Sequence, residues 1–194
     1  MPRQGLTTER VSAAAAELAD SLGLDRLTVA AVARHFGVAD ASLYGHVRNR
    51  EALLHQVAVR AAAAFSDQIA LAVAGRAGHE ALTGFADAYR NFAVTHPGQY
   101  AATNLQLPPE IGHNSAGHLR LIDLSYATFR GYGIEEPGLT DTVRFVRSTL
   151  HGFATLESSA GFGHPRGLDT SFRHVVDAIH TALTHWPAGE EQNP

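Results

Sequence analysis

Cysteine is absent from the 194 residues, and with it go disulfides, thiolate nucleophiles and cysteine-ligated zinc. Lysine is absent as well, so all fifteen cationic side chains are arginine. We read this as compositional bias, although guanidinium groups do suit bidentate phosphate and guanine contacts. Apolar runs are short, and none reaches the ~18 residues of a membrane span. The opening Met1-Pro2-Arg3-Gln4, followed by Gly5 to Arg10, has no apolar signal-peptide core. We therefore expect a cytoplasmic protein with no membrane partner. Period-two runs of β-branched residues are missing too, which argues against strands.

What is present is ordinary for a globular chain: 45% hydrophobic and 18% charged residues, with length for one large domain or a small domain fused to a larger one. The net charge is −4, but it is unevenly spread. Residues 1–65 carry seven arginines against six acidic residues, and residues 66–194 carry eight against thirteen. Only the first third is locally compatible with a polyanion.

Abundant alanine and apolar residues at helical spacing predict an all-α fold. A first helix follows Thr7 or Thr8 as N-cap, carries Val11, Ala14, Ala15, Leu18, Ala19 and Leu22 on one face, and stops at Gly23. Leu24 to Leu27 links it to a short helix, Val29 to Phe36, capped by Thr28 and ended by Gly37. A second short helix is predicted from about Asp40 to Gly45 or His46. After Asn49, a run without internal breakers carries Leu53, Leu54, Val57, Ala61, Phe65 and Ile69 as far as Ala74. Gly75-Arg76-Ala77-Gly78 forms a boundary.

Beyond it, helices are predicted around Leu82 to Ala93, Gln99 to Leu107, Leu119 to Phe129, Thr140 to Ala160 and Phe172 to Trp186, with a loop at Gly161–Gly167. The implied division is 1–50, 51–74 and 75–187, with a disordered tail at 188–194.

Two short helices around a glycine turn can set the second of them in a major groove. Val29, Val32, Ala33 and Phe36 supply the buried side of the first, and Val38, Leu43 and Val47 close the core beneath the second. Ala39, Asp40, Ala41, Ser42 and Gly45 face outward, and their small size lets a helix seat deeply against base edges.

The run Leu43-Tyr44-Gly45-His46-Val47-Arg48-Asn49-Arg50-Glu51-Ala52-Leu53-Leu54 resembles the core signature of the tetracycline-repressor (TetR) family, and the likeness covers residues 8 to 65. A generic helix-turn-helix would not require a tyrosine here, nor this basic-acidic-Ala-Leu entry to the next helix. The resemblance implies an N-terminal three-helix helix-turn-helix domain in residues 1–50 and a connecting helix in 51–74. It assigns phosphate contacts to Thr28, Tyr44, His46, Arg48 and Arg50, the last standing where the family usually has lysine. It assigns the base-reading face to Ala39, Asp40, Ala41, Ser42 and Gly45, and the partner that suits an Asp40 carboxylate is a cytosine amino group.

His96-Pro97-Gly98-Gln99-Tyr100 and Leu150-His151-Gly152-Phe153-Ala154-Thr155-Leu156-Glu157 resemble the C-terminal domain of a TetR subgroup with a Trp-His-Gly motif, although the tryptophan is missing. This implies that residues 75–187 bind a ligand and dimerise. The last two long helices would pair with their two-fold mates through Leu150, Phe153, Leu156, Phe172, Val176, Ile179 and Leu183. A homodimer places two reading heads in successive major grooves of an operator duplex, about 34 Å apart. Tyr89, Phe92, His96, Tyr100, Leu105, Tyr126, Phe129 and Phe145 would line a pocket for a small, largely apolar effector. The same spacing also describes a plain core, and His151 reads as a core histidine.

Enzyme motifs fail one by one. His79-Glu80-Ala81-Leu82-Thr83 has Thr where a zincin needs its second His. His113 precedes Ser115 where a nucleophile elbow needs Gly. Gly161, Gly163 and Gly167 miss the dinucleotide spacing, and His174, His180 and His185 do not stack on one helix face. We expect no catalysis, no metal and no cofactor. The expected function is a DNA-binding repressor released by a small molecule. The alternative is a DNA-binding dimer without a small-molecule ligand, governed by a protein partner or by its own concentration; a helical enzyme is remote.

Overall fold

Thr7 starts the first helix. Its Oγ1 accepts the Arg10 N–H at 3.2 Å, and α1 (Thr8–Leu22) runs until Gly23, whose φ of 84° disfavours any residue with a Cβ. A 3-10 turn, Leu24–Arg26, occupies the expected linker. Then come α2 (Val29–Phe36), a second 3-10 turn (Asp40–Leu43) and α3 (Arg50–Val73). At 24 residues α3 is about 36 Å long. The remaining helices are α4 (Gly78–Thr95), α5 (Pro97–Thr103), the single turn α6 (Pro109–Gly112), α7 (Ala116–Arg130), α8 (Gly138–Ser158) and α9 (Leu168–Thr184).

The computed structural model describes residues 5–187, and among these there is no strand and no helix long and apolar enough to cross a membrane. The leader reading at Met1 to Gln4 and the tail after Pro187 lie outside the described residues.

Four expectations shift in detail. The element after Gly37 is a 3-10 turn, closed by Ser42 N–H on the Ala39 carbonyl at 2.9 Å, not a helix to His46. Helix α5 begins two residues before Gln99, because Pro97 presets helical φ at its first position. Helix α8 ends at Ser158, where Ala160 takes a positive φ of 54° and Gly161 N–H returns to the Leu156 carbonyl at 2.7 Å. Trp186 lies past the end of α9 and packs on Phe145, with ring centroids 5.6 Å apart.

The chain forms two compact units: residues up to Phe65 together with Thr95–Leu119, and Ser66–Val94 together with residues from Arg120 onward. In the first, Val11, Ala15 and Ala19 of α1, Val32 and Ala33 of α2, Leu43, Val47, and Leu53, Val57 and Ala58 of α3 are buried together with Ala102 of α5. Full burial of Leu27, Leu43 and Leu53 contributes roughly 1.5–3 kcal/mol each. Helix α1 packs most extensively on α5, and the close approach depends on Gly98, where a Cβ would collide with the Ala19 carbonyl. Asp20 completes that joint, its Oδ1 accepting the Gln99 N–H at 2.9 Å and its Oδ2 lying 3.2 Å from His96 Nδ1.

In the second unit, Leu82, Phe85, Tyr89 and Phe92 of α4, Phe129 of α7, Leu139, Val146, Leu150 and Phe153 of α8, and Phe172, Val176, Ile179 and Leu183 of α9 are buried. Arg90 joins three helices. Its guanidinium donates twice to Glu157 (2.6 Å each), once to Asp169 (2.9 Å), and lies 4.8 Å over the Phe172 ring. The hydrogen bonds that Arg90 donates to the Glu157 carboxylate raise its pKa further, outweighing desolvation.

Candidate nucleic-acid interface

The interface is built from helix ends. Thr28 is extended (φ −136°, ψ 159°) and its Oγ1 accepts the Ala31 N–H at 3.1 Å, which leaves the hydroxyl hydrogen as a donor toward an outside acceptor. Gly37 closes α2 in the left-handed region (φ 65°, ψ 36°), and Val38 N–H reaches the Ala33 carbonyl at 3.0 Å. The chain reverses there and presents the second 3-10 turn. Leu43 and Val47 point inward from it, fully buried, while Ala39, Asp40, Ala41, Ser42 and Gly45 are exposed. Tyr44 is 59% exposed, an unusual position for a large aromatic with nothing to cover it.

His46 N–H and Val47 N–H both bond the Leu43 carbonyl, at 2.8 and 2.9 Å, and end the element. The His46 ring is partly buried, with Nδ1 3.5 Å from Thr8 Oγ1 on α1. Arg48 is exposed, and Asn49 caps α3 by accepting the Ala52 N–H at 2.8 Å. Thr28, Tyr44, His46, Arg48 and Arg50 all belong to the first unit, as do the five outward positions.

Arg50 has commitments that its sequence position did not reveal. Its Nε donates to the Leu27 carbonyl (2.8 Å), and its Nη2 donates to those of Leu24 (3.1 Å) and Asp25 (3.0 Å). Sequence reasoning passed over Gln56 altogether, though its Nε2 donates to the His46 carbonyl at 3.0 Å. No periodicity marks such a residue, because the acceptor is backbone and its partner's side chain is irrelevant.

The eight aromatic and apolar residues expected to line a pocket fall into two groups. Tyr89, Phe92, Tyr126, Phe129 and Phe145 are in the second unit, and His96, Tyr100 and Leu105 are in the first. Phe85 and Phe129 meet edge to face at 5.3 Å, and Phe85 lies 6.3 Å from Tyr89. Tyr126 Oη bonds Thr140 Oγ1 at 2.8 Å, and Tyr100 lies 6.1 Å from Phe65.

Two open grooves lie elsewhere. One, of about 790 Å³ in the first unit, is lined by α1, α3 and α6 and includes Arg48, Gln56 and Ile111. The other, of about 540 Å³ in the second unit, includes Arg76, His79 and Asp87. Desolvation raises the Asp87 pKa, countered in part by Arg90 and Arg76. Of the seven residues expected at a dimer interface, six are buried within their own unit and Leu156 is 46% exposed. No cluster of three or more His, Asp or Glu among the described residues could hold a metal ion.

A chain that is all-helical among its described residues, with a capped helix, a glycine turn and an exposed face of small residues, has the architecture of a helix-turn-helix DNA-binding regulator. Residues 12–57 match the family of bacterial regulatory proteins called tetR, and residues 82–179 match the tetracyclin repressor-like C-terminal domain. The uncharacterized HTH-type transcriptional regulator YobS of Bacillus subtilis is 33% identical over 161 residues, 83% of this chain and 84% of that protein.

The crystal structure of a TetR variant from Acinetobacter baumannii AYE in complex with minocycline has a TM-score of 0.71 at 21% identity, covering 95% of this chain and 99% of that one. BioQ with its double-stranded DNA operator has a TM-score of 0.66 at 21% identity, covering 93% and 99%. The chain belongs to the TetR family, whose members are transcriptional regulators and not enzymes.

Proposed function

We propose that the chain is a homodimeric repressor that binds a pseudo-palindromic operator and is released by a small, largely apolar effector. The observation that carries this reading is the second 3-10 turn, with Leu43 buried beneath it and Tyr44 exposed beside small outward residues. Tyr44, His46, Arg48 and the Thr28 hydroxyl hold phosphates and set register; Ala39, Asp40, Ala41, Ser42 and Gly45 face base edges. The operator-bound relative and the minocycline-bound relative support the same two roles.

Residues 1–50 read DNA, 51–74 connect, and 75–187 take up effector and partner. The interior of the second unit offers Tyr89, Phe92 and Phe129, with the Thr142 hydroxyl buried and without a hydrogen-bond partner among the described residues. That unmet group is a natural polar anchor for an otherwise apolar ligand. The two-fold mate docks on the outward faces of α8 and α9, where Leu156 is exposed. Effector and operator oppose each other by linkage, with a coupling of roughly 1–3 kcal/mol. The close ring packing of Phe85, Tyr89 and Phe129 favours the second reading, a DNA-binding dimer with no small-molecule ligand.

Selection of duplexes from a random library, followed by a small-molecule screen for release, tests the proposal. Tyr44→Ala should weaken binding to all sequences alike, whereas Asp40→Ala should alter preference at one base position. Unchanged affinity on Tyr44→Ala would refute the docking geometry. Sedimentation at micromolar concentration should give a dimer, and a screen with no releasing compound favours the ligand-free reading.

A further inference from the structure

We infer that Arg50 and Gln56 form a clamp that holds the reading head to α3, and that Arg50 is a positioning residue rather than a phosphate contact. This inference rests on the DNA-binding reading above. Arg50 is the first residue of α3, where a cation is electrostatically unfavourable because the helix amino terminus carries partial positive charge. Its side chain resolves the conflict by turning onto carbonyl oxygens. Nε and Nη2 together reach Leu24, Asp25 and Leu27, all in the 3-10 turn and cap that lead directly into Thr28 and α2. One edge of the guanidinium thereby fastens the start of α3 to the entry of α2. A lysine ammonium has no such planar fork.

Gln56 fastens the other side. Its Nε2 donates to the His46 carbonyl, at the exit of the reading element, from a position six residues further along α3. The two side chains therefore bracket the helix-turn-helix, Arg50 with three bonds before α2 and Gln56 with one after the second 3-10 turn. All four acceptors are backbone carbonyls, so a displacement of the α3 amino-terminal half pulls on the main chain of the reading head. An effector that moves α3 has here a direct mechanical link to base readout.

Salt dependence separates positioning from phosphate contact. A lost phosphate contact lowers the slope of log affinity against log salt by about 0.9. Arg50→Gln, Arg50→Lys and Gln56→Met should each lower affinity for the selected duplex about tenfold, the equivalent of one hydrogen bond from a charged or buried donor, with the slope unchanged. Arg48→Gln, at an exposed arginine, supplies the contrasting slope change.

In hydrogen exchange, the Arg26 and Leu27 amides should open faster in the Arg50 variants, and the His46 and Val47 amides faster in Gln56→Met. A slope reduced by about 0.9 in Arg50→Gln, or wild-type affinity in Arg50→Lys, would overturn the assignment. So would local exchange changes with unaltered DNA affinity, which mark a merely structural role. If wild-type protein selects no duplex, the DNA-binding reading fails, while unchanged exchange in the variants would independently refute the clamp.

Discussion

Where the first unit joins its helix-turn-helix elements, most linking side chains end on backbone, with the contact of His46 and Thr8 as an exception. Thr7, Thr28 and Asn49 accept N–H groups at helix starts, and Arg26, Arg50 and Gln56 donate to carbonyls. In the second unit the linking side chains end on one another: Arg90 on Glu157 and Asp169, Tyr126 on Thr140, and Tyr132 on His180. A bond to backbone fixes a helix end in place. A bond between two side chains can be exchanged by rotamer changes on either partner, so the helices it joins retain room to repack. The first arrangement gives a head of one fixed shape, and the second leaves the helices of the interior freer to shift.

The largest effect should come from breaking the pair network. Arg90→Ala leaves Glu157 largely buried and uncompensated, and should destabilise the second unit by about 3 kcal/mol in chemical denaturation. If the loss is below ~1 kcal/mol, as for a surface pair, the side-chain network is not what joins α4, α8 and α9. Next comes the joint of α1 and α5. Gly98→Ala forces a Cβ into the Ala19 backbone, with an expected loss of about 2 kcal/mol in the first unit, read from its thermal midpoint.

A smaller loss, about 1 kcal/mol, is expected for Thr28→Ala, since one helix-start N–H loses its acceptor. Thr28→Ser should restore it, which a packing role for the methyl group would not allow.

The smallest effect concerns pH. Burial pushes the Tyr132 phenol up to about 12 from 10.0. Unfolded tyrosine ionises near 10, so the contribution of neutral Tyr132 is complete below about pH 10 and is lost as pH rises towards 12. A tyrosinate absorbance titration should show a late-ionising component that Tyr132→Phe removes. A titration in which the component removed by Tyr132→Phe ionises near 10 would show that burial does not shield this phenol.

The helix-turn-helix was legible because its requirements are local. Thr28, Gly37 and Asn49 act within three or four residues of themselves, and the alternation of Leu43 and Val47 with small outward residues needs only one turn of chain. Arg50 and Gln56 were not legible, since each acts on a carbonyl, and every residue has one. In the second half, apolar spacing located α8 and α9 but left open which surface their stripe would meet. Leu150, Phe153, Phe172, Val176, Ile179 and Leu183 are buried in their own unit, and apolar periodicity marks burial without naming the partner. Ring periodicity on α4 and α7 was equally silent about whether the rings touch each other or a guest.

The grouping of Thr95–Leu119 with the helix-turn-helix means that what folds together is not contiguous in the gene. A recombination that exchanged the reading head at one junction, such as Gly75, would separate α1 from the Gly98 and Gln99 surface it is fitted to. A head would then be exchanged intact only together with its α5, and a substitution at Asp20 would strand the Gln99 side chain, whose Nε2 donates to Asp20 Oδ2 at 2.7 Å. New binding specificities would then arise by change within the head more readily than by its replacement.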